Sequence, residues 1–232
     1  LSTTACQIGA ASTGTIVLAR AGVLDGYRST VHWELMADFK EEFPRLEISP
    51  DLFIIDRDRF TCGGGTAGLD MMLAVIGRQH GQPLAVAVAE QFLHTRIRQP
   101  TESQRMNILA RYHITDGRVA TAIAVMEQHV EQPLPTEAVA LRCGVSPRQL
   151  ERLFLAALDN TPGRFYLELR LRLARRLLTE TSQSILQIAL RCGFASPAHF
   201  GKCYREAFKD TPARSRSRQL GHRAAYDAPG RP

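Results

Sequence analysis

Apolar positions change their spacing about halfway along the chain. In the first half, stripes at helical spacing predict helices over TIVLARAGVL (15–24), residues 33–42, the run LDMMLAVIGRQHG that ends at Gly81, and residues 83–94. Arg28 to Thr30, LEIS (46–49), LFIID (52–56) and RFTC (59–62) are short β-prone runs and read as strands. Asp25-Gly26 marks a turn, and Pro44 pushes Phe43 out of the helical region. Strands alternating with helices predict an α/β layer over residues 1–95. Residues 96–115 are polar and basic with few apolar anchors, which predicts a linker. From residue 116 strand signals stop. Helices are expected over 116–131, 136–143, 147–158, 162–179, 184–192, 197–208 and 212–219, an all-α domain spanning 116–220 with a frayed tail at 221–232.

Within that helical half the chain writes one unit twice. ALRCGVSPRQLERLF (140–154) is echoed by ALRCGFASPAHFGKCY (189–204), and Thr161-Pro162 and Thr211-Pro212 follow at matched offsets. Thr136 is a candidate cap for the first helix, with Val139 and Ala140 inward. Gly144 stops that helix, Ser146 caps the next and Pro147 takes its first position, where a missing N–H costs nothing. Two helices joined by three or four residues with a glycine make a helix-turn-helix. The second copy repeats the plan through Gly193 and Ser196-Pro197.

Periodicity sorts the faces. Leu150, Leu153, Phe154, Ala157 and Leu158 form an inward stripe, leaving Arg148, Gln149, Glu151, Arg152 and Leu155 outside. Arg and Gln near the start of such a helix suit the major groove, where Arg pairs with guanine and Gln with adenine through two hydrogen bonds. In the second copy Ala198, His199, Gly201 and Lys202 face out, a surface with fewer base-reading groups, so it is expected to sit on phosphates through Lys202, Arg205 and His199. The helix between the copies carries Arg170, Arg172, Arg175 and Arg176 beside an apolar stripe. At about 25 Å it is long enough to hold two readers on one face of double-stranded DNA.

Charge points the same way. Of the net +6, residues 1–112 contribute −1 and residues 113–232 contribute +7, which directs a polyanion to the helical half. The five cysteines, at 6, 62, 143, 192 and 203, show no ligand spacing, so neither a metal nor a cofactor is expected, and Cys143 and Cys192 read as packing residues. No apolar run reaches the roughly 18 residues of a membrane span, and no basic-then-apolar leader is visible, so a cytoplasmic protein without membrane contact is expected. The first residue is Leu1 among small and polar neighbours, from which missing upstream sequence is expected.

On SPRQLERLF, RLRLARRLL, IALRCGFASPAHFGKCYREAF and the paired Thr-Pro positions, residues 116–220 resemble the AraC/XylS family DNA-binding domain. The resemblance implies base-facing positions at Arg148, Glu151 and Arg152, and at Ala198, Gly201 and Lys202. It departs from the family where Asp159 and Lys209 replace the Gly usual ahead of each Thr-Pro, and where ARSRSRQ replaces the usual closing Tyr-Arg. It further implies a regulator, an activator in sign, with RNA polymerase and a second copy of the chain as partners.

The first half, on ASTG, LARAGVLDGYRSTVHWE and CGGGTAGLDMML, resembles part of an amidotransferase-like (ThiJ/PfpI) domain with a flavodoxin-like layer, as fused to AraC-type domains in GlxA-like regulators. The nucleophile elbow of that superfamily falls on Ser12 and its histidine on His32. ASTG is only loosely like a Gly-x-Ser-x-Gly elbow and no Cys stands at that position. A pocket for a small effector is the expectation, lined by Ser12, Thr13, His32, Trp33, Gly64 and Gly65. Backbone N–H groups at the following helix start would favour an anion, and Trp33 could stack on a quaternary ammonium. An active hydrolase or amidotransferase with an appended DNA-binding domain stands as the alternative.

Overall fold

Short β-branched and aromatic runs in the first part pair into two small sheets. In the computed structural model, which describes residues 6–218, β1 (Ile8–Ala11) lies parallel to β5 (Arg59–Cys62), and β4 (Phe53–Asp56) runs antiparallel on the other side of β5, with Phe53 opposite Cys62. A second, two-stranded parallel sheet joins β2 (Arg28–Ser29) to β3 (Glu47–Ile48). Four helices accompany them: α1 (Gly14–Arg20), α2 (Met36–Glu42), α3 (Ala67–His80) and α4 (Gln82–Gln91). Leu52, Phe53 and Cys62 pack against Ala67 and Met71 of α3, and Ala19, Leu24, Val31 and Phe39 form a second cluster. Short strands and helices alternate in this part. Strand β1 carried no sequence signal, because Ile-Gly-Ala-Ala lacks β-branched density; Gly9 is required there by the Phe60 ring on the neighbouring strand.

Within 96–115, the expected linker, the chain makes contacts on both sides of the boundary between its two units. The chain divides into two compact units between Asn107 and Ile108. Before that point, Pro100 accepts a hydrogen bond from the Leu52 amide at 2.8 Å and Ser103 bridges to Asp51. After it, α5 (Ile108–Tyr112) packs in the second unit: Arg111 makes a two-point ion pair with Glu127, and the Tyr112 ring meets Phe165 edge-on at 5.3 Å. Hydrogen bonds from backbone and side chains, rather than apolar burial, hold 96–107, so hydropathy missed it.

The second unit continues with α6 (Gly117–Gln128), α7 (Thr136–Arg142), α8 (Pro147–Leu158), α9 (Pro162–Glu180), α10 (Ile185–Arg191) and α11 (Pro197–Phe208), and residues 212–218 are helical. Two cores form. Val119, Ile123 and Met126 of α6 meet Val139, Ala140, Leu150, Phe154 and Phe165 in the first. Ile188, Ala189, Phe200 and Tyr204 meet Leu171, Ala174 and Leu178 in the second. The 19-residue α9, about 28 Å long, gives its first half to one core and its second half to the other. Thr136 does not cap α7; it lies inside the helix, one residue past Pro135 at the cap position. The expected frayed tail, 221–232, lies outside the described residues.

Repetition extends to the turns. Asp159 and Lys209 both take left-handed backbone, with φ of 48° and 55°. The next residues, Asn160 and Asp210, accept the Thr161 and Thr211 amides at 2.9 and 2.8 Å. Each Thr hydroxyl oxygen then accepts an amide three residues on, from Arg164 and Arg214, both at 3.3 Å. The turns form without the glycine.

Candidate nucleic-acid interface

Helix α8 begins in a capping box. Ser146 Oγ accepts the Gln149 amide at 3.2 Å, and Gln149 Oε1 accepts the Ser146 amide at 2.9 Å. Leu150 and Phe154 are fully buried, which fixes the rotation of the helix and turns Arg148, Gln149, Glu151 and Arg152 outward. These four and Leu155 border one open surface depression. Gln149 therefore differs from a free bidentate reader: its carboxamide oxygen is committed to the cap, leaving only the NH2 group. The Ser-x-x-Gln spacing was the signal for this.

Helix α11 starts similarly, with Ser196 Oγ accepting the His199 amide at 3.2 Å. Phe200, Cys203 and Tyr204 are buried, while Ala198, His199, Lys202 and Arg205 are exposed. Gly201 is half-buried with open space where a side chain would project. The His199 ring stands edge-on to Phe194 at 5.7 Å. Arg175 on α9 is exposed, its guanidinium 5.0 Å above the Phe208 ring.

The other arginines of α9 divide. Arg170, grouped with the outer faces by sequence, turns inward to the end of α10 and bonds the Cys192 and Gly193 carbonyls. Arg176 pairs with Glu180 one turn on, at 4.0 Å. Burial pushes the Cys192 thiol up to about 12 and raises Cys143 as well, which fits packing residues rather than reactive thiolates.

In the first unit, His32, Trp33, Gly64 and Gly65 come together around a cavity of about 190 Å³, joined by Thr66, Arg98 and Gln104. Ser12 sits at the β1–α1 turn with φ of 53°, and a side chain on Gly64 would approach its Cβ to 2.8 Å. Thr13 occupies the cap position of α1 without a side-chain bond, and neither Ser12 nor Thr13 is among the cavity's lining residues. His32 Nδ1 accepts the Glu34 amide at 3.4 Å. Arg98 and Gln104 escaped the sequence reading because they lie in the supposed linker. Gln104 is held at four points. Its Oε1 accepts the Trp33 amide at 2.8 Å, and its Nε2 donates to Thr30 Oγ1, the Val31 carbonyl and the Asp51 carbonyl.

The Arg105 guanidinium lies 4.2 Å above the Trp33 ring, so one face of that ring already carries a cation. Asp70, in the first turn of α3, is fully buried and bonded to His94 Nε2 at 2.8 Å and to the Arg98 amide and side chain at 2.9 and 2.8 Å. Burial opposes the Asp70 charge, yet these bonds together hold its carboxyl below the usual range. Among the described residues no group of three or more His, Cys, Asp or Glu could hold a metal, and no helix is long and apolar enough to cross a membrane.

A helix-turn-helix domain family model matches residues 139–218. The HTH-type transcriptional regulator CdhR of Pseudomonas aeruginosa is 45% identical over 225 residues, 97% of this chain and 67% of that protein. GbdR, an HTH-type transcriptional regulator of the same species, is 47% identical over 92% of this chain and 58% of its own length. The chain thus spans about three fifths to two thirds of these relatives. A solved AraC-type regulator from Chromobacterium violaceum is 45% identical and covers 49% of this chain and 96% of that one, with a TM-score of 0.43. This chain belongs to the AraC family of helix-turn-helix, DNA-binding transcriptional regulators.

Proposed function

We propose that the second unit regulates transcription by laying α8 and α11 into neighbouring stretches of the major groove of double-stranded DNA. The observation that carries this is the α8 face: Arg148, Glu151 and Arg152 project together from a helix locked by its capping box and by buried Leu150 and Phe154. Arg148 and Arg152 read guanine edges and Glu151 accepts from cytosine, while Gln149 adds its NH2 group beside its capping role. On α11, His199, Lys202 and Arg205 hold phosphates, and the small Ala198 and Gly201 let the helix approach closely. Arg175 adds a phosphate contact from α9.

The test is selection of bound duplexes from a random pool, followed by anisotropy titrations. Arg148→Ala or Arg152→Ala relaxes choice at one base pair by about 1–3 kcal/mol. Arg175→Ala weakens all duplexes alike and flattens the salt slope by about one. Unchanged binding in all three variants overturns the assignment of faces.

For the first unit, residues 1–95 with the 98–105 segment are read as a partial amidotransferase-like, flavodoxin-like layer that senses a small molecule. Support comes from the cavity bounded by His32, Trp33, Gly64, Gly65, Arg98 and Gln104, behind which Ser12 stands against Gly64. An effector acts by binding one arrangement of the protein more tightly than the other. RNA polymerase, a second copy of the chain and a cytoplasmic setting complete the reading, with activation as its sign. Repeating the selection with candidate metabolites present tests sensing, and a panel that shifts neither sequence choice nor melting temperature counts against it.

A further inference from the structure

Leu155 is 47% exposed on α8 and stays out of the core that its neighbours Leu153, Ala157 and Leu158 join. Seven residues after Arg148, it returns to the same side of the helix, because seven residues make nearly two turns. It borders the same surface depression as Arg148, Glu151 and Arg152. In the second copy the matching position is Arg205, exposed in its turn, so the fold does not demand an apolar residue there.

On a face laid into the major groove, a leucine at the end of a row of charged groups meets whatever apolar feature the groove presents. The major groove offers one apolar feature among its donors and acceptors, the C5-methyl of thymine. We infer that Leu155 is a specificity-determining residue that packs on a thymine methyl, about 10 Å along α8 from Arg148 and roughly three base pairs away. The inference rests on the groove placement of α8 proposed above. The side chain of a helical residue leans toward the preceding turn, which carries Leu155 toward the bases next to those met by Arg152.

The experiment takes the tightest duplex recovered from the random pool and replaces each thymine facing α8 with deoxyuridine, one at a time. Deoxyuridine lacks only the methyl. The unaltered chain is expected to lose about fourfold in affinity at one position, the value of one buried methyl-sized group. Leu155→Ala, at an exposed site and with an unchanged melting curve, is expected to bind both duplexes equally. Equal losses in the two proteins, no loss at any thymine, or a selected site without thymine under α8 each overturn the inference. Should deoxyuridine be silent while Arg148→Ala and Arg152→Ala still change base choice, the groove placement stands and the leucine contact falls. Should those variants be silent too, both fall.

Discussion

Arg170 Nε donates to the Cys192 carbonyl at 2.7 Å, and the same guanidinium reaches the Gly193 carbonyl, also at 2.7 Å. A cation from α9 thus closes the C-terminal end of α10, where carbonyls lack helical partners and the helix dipole favours positive charge. The guanidinium also lies 4.2 Å above the Phe194 ring. Arg170→Ala is expected to destabilise the second helix-turn-helix by about 2–3 kcal/mol, as charged hydrogen bonds in a half-buried site contribute. Arg170→Lys should recover part, because an ammonium cannot reproduce the forked geometry. Urea melts measure this, and base choice at α8 should stay unchanged.

Gly144 and Gly193 hold equivalent positions in the two copies, with φ of 67° and 72°. Their surroundings differ. A Cβ on Gly144 would meet nothing within 4 Å, whereas one on Gly193 would come within 2.5 Å of Pro133 and 2.7 Å of the Val130 carbonyl. Gly144→Ala should cost about 1 kcal/mol, the left-handed backbone alone. Gly193→Ala adds overpacking against backbone and should cost about 2–4 kcal/mol. Equal losses in paired denaturant melts would show that the second turn does not dock on residues 130–133.

The left-handed Asp159 and Lys209 are strained, as residues with a Cβ are in that region. Asp159→Gly and Lys209→Gly should each stabilise the second unit by about 0.5–1 kcal/mol, since relief of the backbone strain exceeds glycine's greater unfolded freedom. Each residue's N–H bond to the preceding turn, to the Leu155 and Arg205 carbonyls, remains available. Thermal scans of single and double variants test this, and the two gains should add, because the turns serve separate cores.

Asp116 caps α6, accepting the Arg118 amide at 2.8 Å, and the Arg118 side chain bonds it as well. The Arg118 side chain and then its amide lower the Asp116 carboxyl from an ordinary 3.8 to about 2. The folded value lies below the unfolded one, so the stabilisation is complete above pH 4 and is lost as pH falls toward 2. Asp116→Ala should cost about 1 kcal/mol at pH 7, a typical cap. The gap between variant and parent in urea melts should close between pH 4 and 2. A gap independent of pH would remove the ionised cap from the account.

Sequence alone determined the doubled helical unit. α8 and α11 run over 147–158 and 197–208 as their Ser-Pro starts and apolar periodicity require, since caps and stripes are written within a few residues of each other. The outward placement of Arg148, Glu151, Arg152 and Lys202 followed from the same local rule. The tertiary structure decided which polar groups were already in use. Gln149 bends back to its own cap, Arg170 turns to a helix end 22 residues away, and Gln104 reaches partners up to 74 residues away and draws a presumed linker onto the first unit. Asp70, in the first turn of α3, pairs with Arg98, 28 residues distant. A buried polar group must find a partner wherever chain closure supplies one. That choice depends on residues far apart in the sequence, and no periodicity records it.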